Sequence, residues 1–91
     1  MDEMCTMIVK KMNITASGKG TQGWFTVKQA NVSYDHPFHI PMEHALNIDF
    51  VNEDLGPGHR VAVELSEQDA RSLVDTILDV LGQAEAGGHL E

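Results

Sequence analysis

At Ser66 the chain changes period, and this change limits the available folds more than any other feature. Before it, apolar residues tend to recur at alternate positions, as in Cys5, Met7 and Val9, then Leu46, Ile48 and Phe50, then Val61, Val63 and Leu65. After it, Ala70, Leu73, Val74, Ile77, Leu78 and Leu81 recur at helical spacing. Alternation puts successive side chains on opposite faces of a strand, whereas the later spacing lays one apolar stripe along a helix. Strands followed by a single amphipathic helix predict an α+β layer arrangement.

In detail, residues 5–15 read as a first strand with a slip of phase near Lys10-Lys11, and residues 17–23 as a glycine-rich turn. Residues 24–35 are rich in aromatic and β-branched side chains and read as one long bent strand or two short ones, with a change of phase between Val27 and Ala30. Residues 44–50 alternate cleanly, residues 54–58 form a turn, and residues 60–65 make a fourth strand. Ser66 is placed to cap the helix, with Glu67 and Asp69 in its positively polarised first turn. Glu67, Arg71 and Asp75, four apart, can pair by charge. Gly82 is expected to end the helix or begin its fraying. The expected fold is an antiparallel sheet of about four strands covered on one face by the C-terminal helix. It forms one domain over residues 1–86, and residues 87–91 are a flexible end or a vector-derived scar.

A chain of 91 residues buries only roughly 60–65% of the surface its unfolded form exposes, so a homodimer interface or a bound metal would supplement its core. The formal charge of -8, with six Lys and Arg scattered along the chain, excludes a nucleic-acid partner and disfavours an acidic membrane surface. No stretch is long and apolar enough to span a bilayer, and Met1-Asp2-Glu3 lacks the start of a secretion signal, so a cytoplasmic location is expected. Cys5 is the single cysteine, which excludes an internal disulfide and leaves a free thiol, a metal ligand, a nucleophile or a small buried side chain. The sequons at Asn13 and Asn31 fall on strands and read as chance matches.

The chemistry points to the run Asp35-His36-Pro37-Phe38-His39-Ile40-Pro41-Met42-Glu43-His44, which holds three of the five histidines. Imidazole is the commonest transition-metal ligand in proteins. If residues 37–43 connect a hairpin, His36 and His44 face each other with Cβ atoms about 4.5–5.5 Å apart, close enough to share an ion. His39 lies between two prolines and joins only if the loop turns back. Cys5 has a parity that suits a fourth ligand, while Glu43 and Asp35 are adjacent carboxylates. A site rich in nitrogen with at most one thiolate suits Zn first, with Fe, Ni or Cu as alternatives. The spacing matches no established zinc signature, and histidines at strand ends commonly serve as hydrogen-bonded rim residues. Two rival readings therefore stand beside the metal site. One is a non-catalytic module that binds a small-molecule ligand or a protein. The other is a metal-free enzyme using Glu43 or Asp35 with a histidine as an acid-base pair.

Gly18-Lys19-Gly20-Thr21-Gln22-Gly23 matches GxGxxG, but a dinucleotide fingerprint needs a helix after the glycines and Trp24-Phe25-Thr26-Val27 reads as strand. A flexible hairpin loop with positive φ angles is the simpler expectation. Cys5 is flanked by Met4, Met7 and Ile8, which favours a buried thiol over an activated one. Trp24, Phe25 and Tyr34 are expected in core or dimer contacts, and Arg60 as a solvated charge or a carboxylate clamp.

Taken together, Met4-Cys5-Thr6, Ser17-Gly18-Lys19-Gly20 with Gly23-Trp24-Phe25, Tyr34-Asp35-His36-Pro37 with Glu43-His44, Asn47-Ile48-Asp49-Phe50 and Arg60-Val61-Ala62-Val63-Glu64-Leu65 resemble a family of small bacterial proteins of about this length. That family is mainly actinobacterial and of unknown function. The resemblance runs from Met4 to about Leu81 and marks Met1 to Glu3 as an extension. It implies that Cys5, Asp35, His36, Glu43 and His44 belong to the family's pattern, and it implies no activity.

Overall fold

The computed structural model describes residues 8–91. Strands β1 (Ile8–Gly20), β2 (Gly23–Asp35), β3 (Ala45–Val51) and β4 (Arg60–Leu65) pair antiparallel in chain order, and a short 3-10 turn at Glu53–Leu55 links the last two. Helix α1 (Glu67–Ala86) packs against β3 and β4, which makes the fold α+β as the change of period predicts. Cys5 lies outside the described residues.

Register sorts the side chains into two faces, because directly paired residues share a face. Ala30, Phe50 and Val61 form one apolar row, Val32, Ile48 and Val63 a second, and Tyr34, Leu46 and Leu65 a third. On the opposite face Asn31 pairs with Asp49 and Asp49 with Ala62, while Ser33 pairs with Asn47 and Asn47 with Glu64. β1 contributes Ile8, Lys10 and Met12 to the apolar side. The expected slip near Lys10-Lys11 lies further along. Between Asn13 and Ala16 β1 carries one residue more than its partner, since Asn13 faces Gln29 and Ala16 faces Val27. This is a β-bulge at Ile14-Thr15.

β2 is one unbroken strand whose buried side changes along its length, with Phe25 and Val27 buried before Ala30 on the other face. The glycine-rich turn is shorter than expected. Pairing continues through Gly18 with Phe25 and Gly20 with Gly23, leaving only Thr21-Gln22 at the tip. Only Gly23 there has a positive φ, at 100°. Gly18 serves a different need, because a Cβ on it would lie 3.0 Å from Val27 Cγ2 and 3.6 Å from Val61 Cγ2. Its lack of a side chain lets the far end of β1 close on β4.

Ser66 caps α1 as expected, its Oγ accepting from the Asp69 amide at 3.0 Å, and Arg71 pairs with Glu67. Gly82 does not end the helix. The helix stops at Gly87 and Gly88, where Gly87 N–H donates to Gln83 O at 3.0 Å, His89 N–H donates to Ala84 O at 2.8 Å, and Gly88 has a φ of 73°. Gly82 sits in the helix interior with open space where a Cβ would project. Gly82→Ala is therefore expected to stabilise the protein by about 0.5–1 kcal/mol, read as a higher urea midpoint with unchanged slope.

Among the described residues the buried set is small: Phe25, Val27, Ala30, Ala45 and the polar Asn52. No residue of α1 is buried. The radius of gyration, 15.4 Å, exceeds the about 12 Å of a compact chain of this length.

Candidate functional site

Residues 36–44 connect β2 to β3, and the loop folds back over the polar sheet face. Its anchor is Glu64 on β4. The Glu64 carboxylate accepts the amides of Phe38 at 2.5 Å, His39 at 3.0 Å and Ile40 at 2.9 Å. Three consecutive N–H groups turned toward one point form an anion cradle, and an ionised carboxylate, which only accepts, fills it. The Ile40 and Phe38 amides hold the Glu64 carboxyl below its ordinary value of 4.5, with smaller help from the His39 amide and charge, against partial desolvation.

A depressed folded pKa means that this anchoring is fully present above the unfolded value and is lost as pH falls through the lower folded value. The loop is thus expected to loosen on acidification below about pH 4.5. Amide exchange at Phe38, His39 and Ile40, after correction for intrinsic rates, should show this step in the wild type and lack it in Glu64→Gln.

Under the loop lies an open cleft of about 760 Å³, floored by Ser33, Asn47, Asp49 and Ala62 and bounded by Phe38, His39, Ile40, Pro41 and Glu64. Its size falls in the range of small-molecule sites. Arg60 borders it with its fork turned onto Asp49 Oδ1, Nε at 3.0 Å and Nη2 at 2.7 Å. Arg60 therefore clamps a carboxylate of its own sheet. Asp35 also lines the cleft, with Oδ1 accepting the His36 amide at 2.7 Å. Asn47 Oδ1 is buried and has no hydrogen-bond partner among the described residues. Three carboxylates against one guanidinium give the cleft a negative charge, and Phe38, 95% exposed, stands at its mouth.

His36 and His44 come together, as their strand parity implies. Their ring centroids are 4.7 Å apart at an interplanar angle of 27°, and His44 also stacks on Tyr34 at 5.9 Å. Imidazole lone pairs lie in the ring plane. Two nearly parallel rings aim theirs side by side, so both could reach an ion at about 2.0–2.1 Å only after turning out of the stack. His36 Nδ1 lies 2.7 Å from Glu43 O. A carbonyl only accepts, so Nδ1 carries the hydrogen and, in the neutral ring, Nε2 keeps its lone pair. His39 does turn back, but it binds Glu64 through its backbone. Glu43 is exposed and acts through its carbonyl. Among the described residues no three His, Cys, Asp or Glu side chains are grouped to hold a metal ion, and no helix is long and apolar enough to cross a membrane.

Glu64, Asn47 and Asp49 escaped the sequence reading because alternating polar residues on β3 and β4 look like an ordinary wet face. The one available signal was that Asn47, Asp49 and Glu64 share that face with Asp35, at the foot of the histidine loop.

No curated protein and no solved structure matches the chain. One family model does match, covering residues 4–90 and so nearly the whole chain. The chain accordingly belongs to a family of unknown function, DUF6295.

Proposed function

We propose that the protein is a ligand-binding module whose site is the cleft between the polar sheet face and the 36–44 loop. The observation that carries this reading is the lining of that cleft of about 760 Å³, where the carboxylates of Asp35, Asp49 and Glu64 stand against the single guanidinium of Arg60. The excess of Asp35, Asp49 and Glu64 over Arg60 selects a cationic or donor-rich head group. Phe38, Ile40 and Pro41 offer the body of the ligand an apolar wall.

The test is calorimetry with small amines and guanidines, agmatine and spermidine among them, beside dicarboxylates of matched size. Amines should bind the wild type, and Asp35→Asn with Asn47→Leu should weaken them at least about tenfold, the loss of one charged hydrogen bond. Equal affinity in wild type and variant, or a preference for the dicarboxylates, would overturn the reading.

A second reading keeps the histidines as a site for a transition metal, Zn first and Fe, Ni or Cu next. It is supported by the adjacency of His36 and His44 and by the Glu43 carbonyl that orients the His36 ring. Elemental analysis of protein purified without nickel should then find metal in stoichiometric amount, lost in His36→Ala/His44→Ala. Equal absence in both, even after metal is added back, removes this reading.

A further inference from the structure

We propose that α1 is an interface between two copies of this chain, each helix laying its apolar stripe on the other copy. Leu73, Val74, Ile77, Leu78, Val80 and Leu81 on α1 are 41–62% exposed, and no residue of the helix is buried. An apolar stripe about 100° wide or more is the mark of a helix packed on a core, and among the described residues little of this one is covered. The sheet shows the complementary deficit. Among the described residues its apolar side leaves Ile8, Met12, Tyr34 and Val63 exposed, and the main contacts of α1 with the sheet are to β3 and β4.

One chain thus carries both an uncovered stripe and an uncovered face, the condition for a self-complementary twofold contact. The area agrees. The accessible surface is 6892 Å², whereas a compact monomer of 10.0 kDa exposes about 5,200 Å². The excess leaves room for the roughly 800 Å² that each partner buries in a standard interface.

Charge favours a second copy over an acidic membrane. The stripe carries no ionisable side chain, while Glu67, Asp69, Asp75, Asp79 and Glu85 occupy the rest of the helix against Arg71 alone. Two chains of charge -8 repel at long range, so added salt should tighten the dimer.

The experiment is sedimentation equilibrium on the full chain, followed by an isotope-filtered NOE measurement on a mixed labelled and unlabelled sample. The expected mass is about 20 kDa, twice the chain's 10.0 kDa, with a melting temperature that rises with protein concentration. Intermolecular NOEs should involve the methyls of Leu73, Ile77, Leu78 and Leu81. Ile77→Glu with Leu78→Glu should raise the dissociation constant at least about 100-fold, since it buries charge at the centre of the contact. A folded wild-type monomer whose melting ignores concentration would overturn the proposal. So would a dimer whose intermolecular NOEs arise elsewhere, such as the β1 edge, or an assembly other than two copies.

Discussion

Asn52→Leu is expected to destabilise the protein by about 2–3 kcal/mol, a fall of roughly 10–20 °C in Tm when both proteins are compared at one concentration. Asn52 is the one buried polar residue among those described, at 4% exposure. Its Nδ2 donates to Thr26 O at 2.9 Å, and its Oδ1 accepts the Asp54 amide at 3.1 Å. It therefore joins the turn after β3 to β2, the strand that carries Phe25 and Val27. Leucine fills a similar volume but leaves both backbone groups without that partner. Asn52→Asp separates the two bonds, since a carboxylate can still accept from Asp54 but cannot donate to Thr26 and repels its carbonyl. Urea titrations should rank wild type above both variants. A loss below about 0.5 kcal/mol for Asn52→Leu, the range of ordinary surface substitutions, would show that solvent replaces these bonds.

Glu64→Ala is expected to release the 36–44 loop while leaving the sheet paired. Three successive amides lose their shared acceptor, and nothing else among the described hydrogen bonds holds Phe38, His39 or Ile40 to β4. Exchange of those amides should accelerate at least about tenfold, because their opening then costs little. Amides in the β2 and β3 ladder should change far less. Ligand affinity should fall with loop order, since the loop forms one wall of the cleft. Glu64→Gln should lie between the two, as its single oxygen still accepts and its amide nitrogen faces donors. Unchanged exchange in Glu64→Ala would mean that the loop holds its shape without this anchor.

The parts of this fold that were legible are those where one pattern served one environment. β3, β4 and α1 each bury or expose a consistent face, so alternation and the Ser66 cap located them closely. β1 was harder because it is an edge strand. Val9 faces the polar side opposite Ser33, and Lys10 sits in the apolar row opposite Val32, so apolar phase misplaced the bulge. The glycines at 18 and 20 looked like turn residues but are strand residues kept small by their neighbours, at 18 by Val27 and Val61, a tertiary demand that local sequence does not carry.

At the site, parity brought His36 and His44 together because the loop length and the strand faces on either side sufficed. Glu64 was invisible because its partners are backbone amides distant in sequence, and the return of a loop bounded by Pro37 and Pro41 leaves no periodic trace. The stripe on α1 announced an apolar contact, but periodicity cannot specify what supplies the other side.

The most direct test of the cleft as the functional site is a map of backbone amide shifts during titration of the assigned wild-type protein with agmatine and spermidine. Saturable shifts confined to Ser33, Asp35, Asn47, Glu64 and the amides of Phe38, His39 and Ile40 are expected. Saturable shifts centred elsewhere on the sheet, or no saturable shift with either amine, would contradict a site in the cleft.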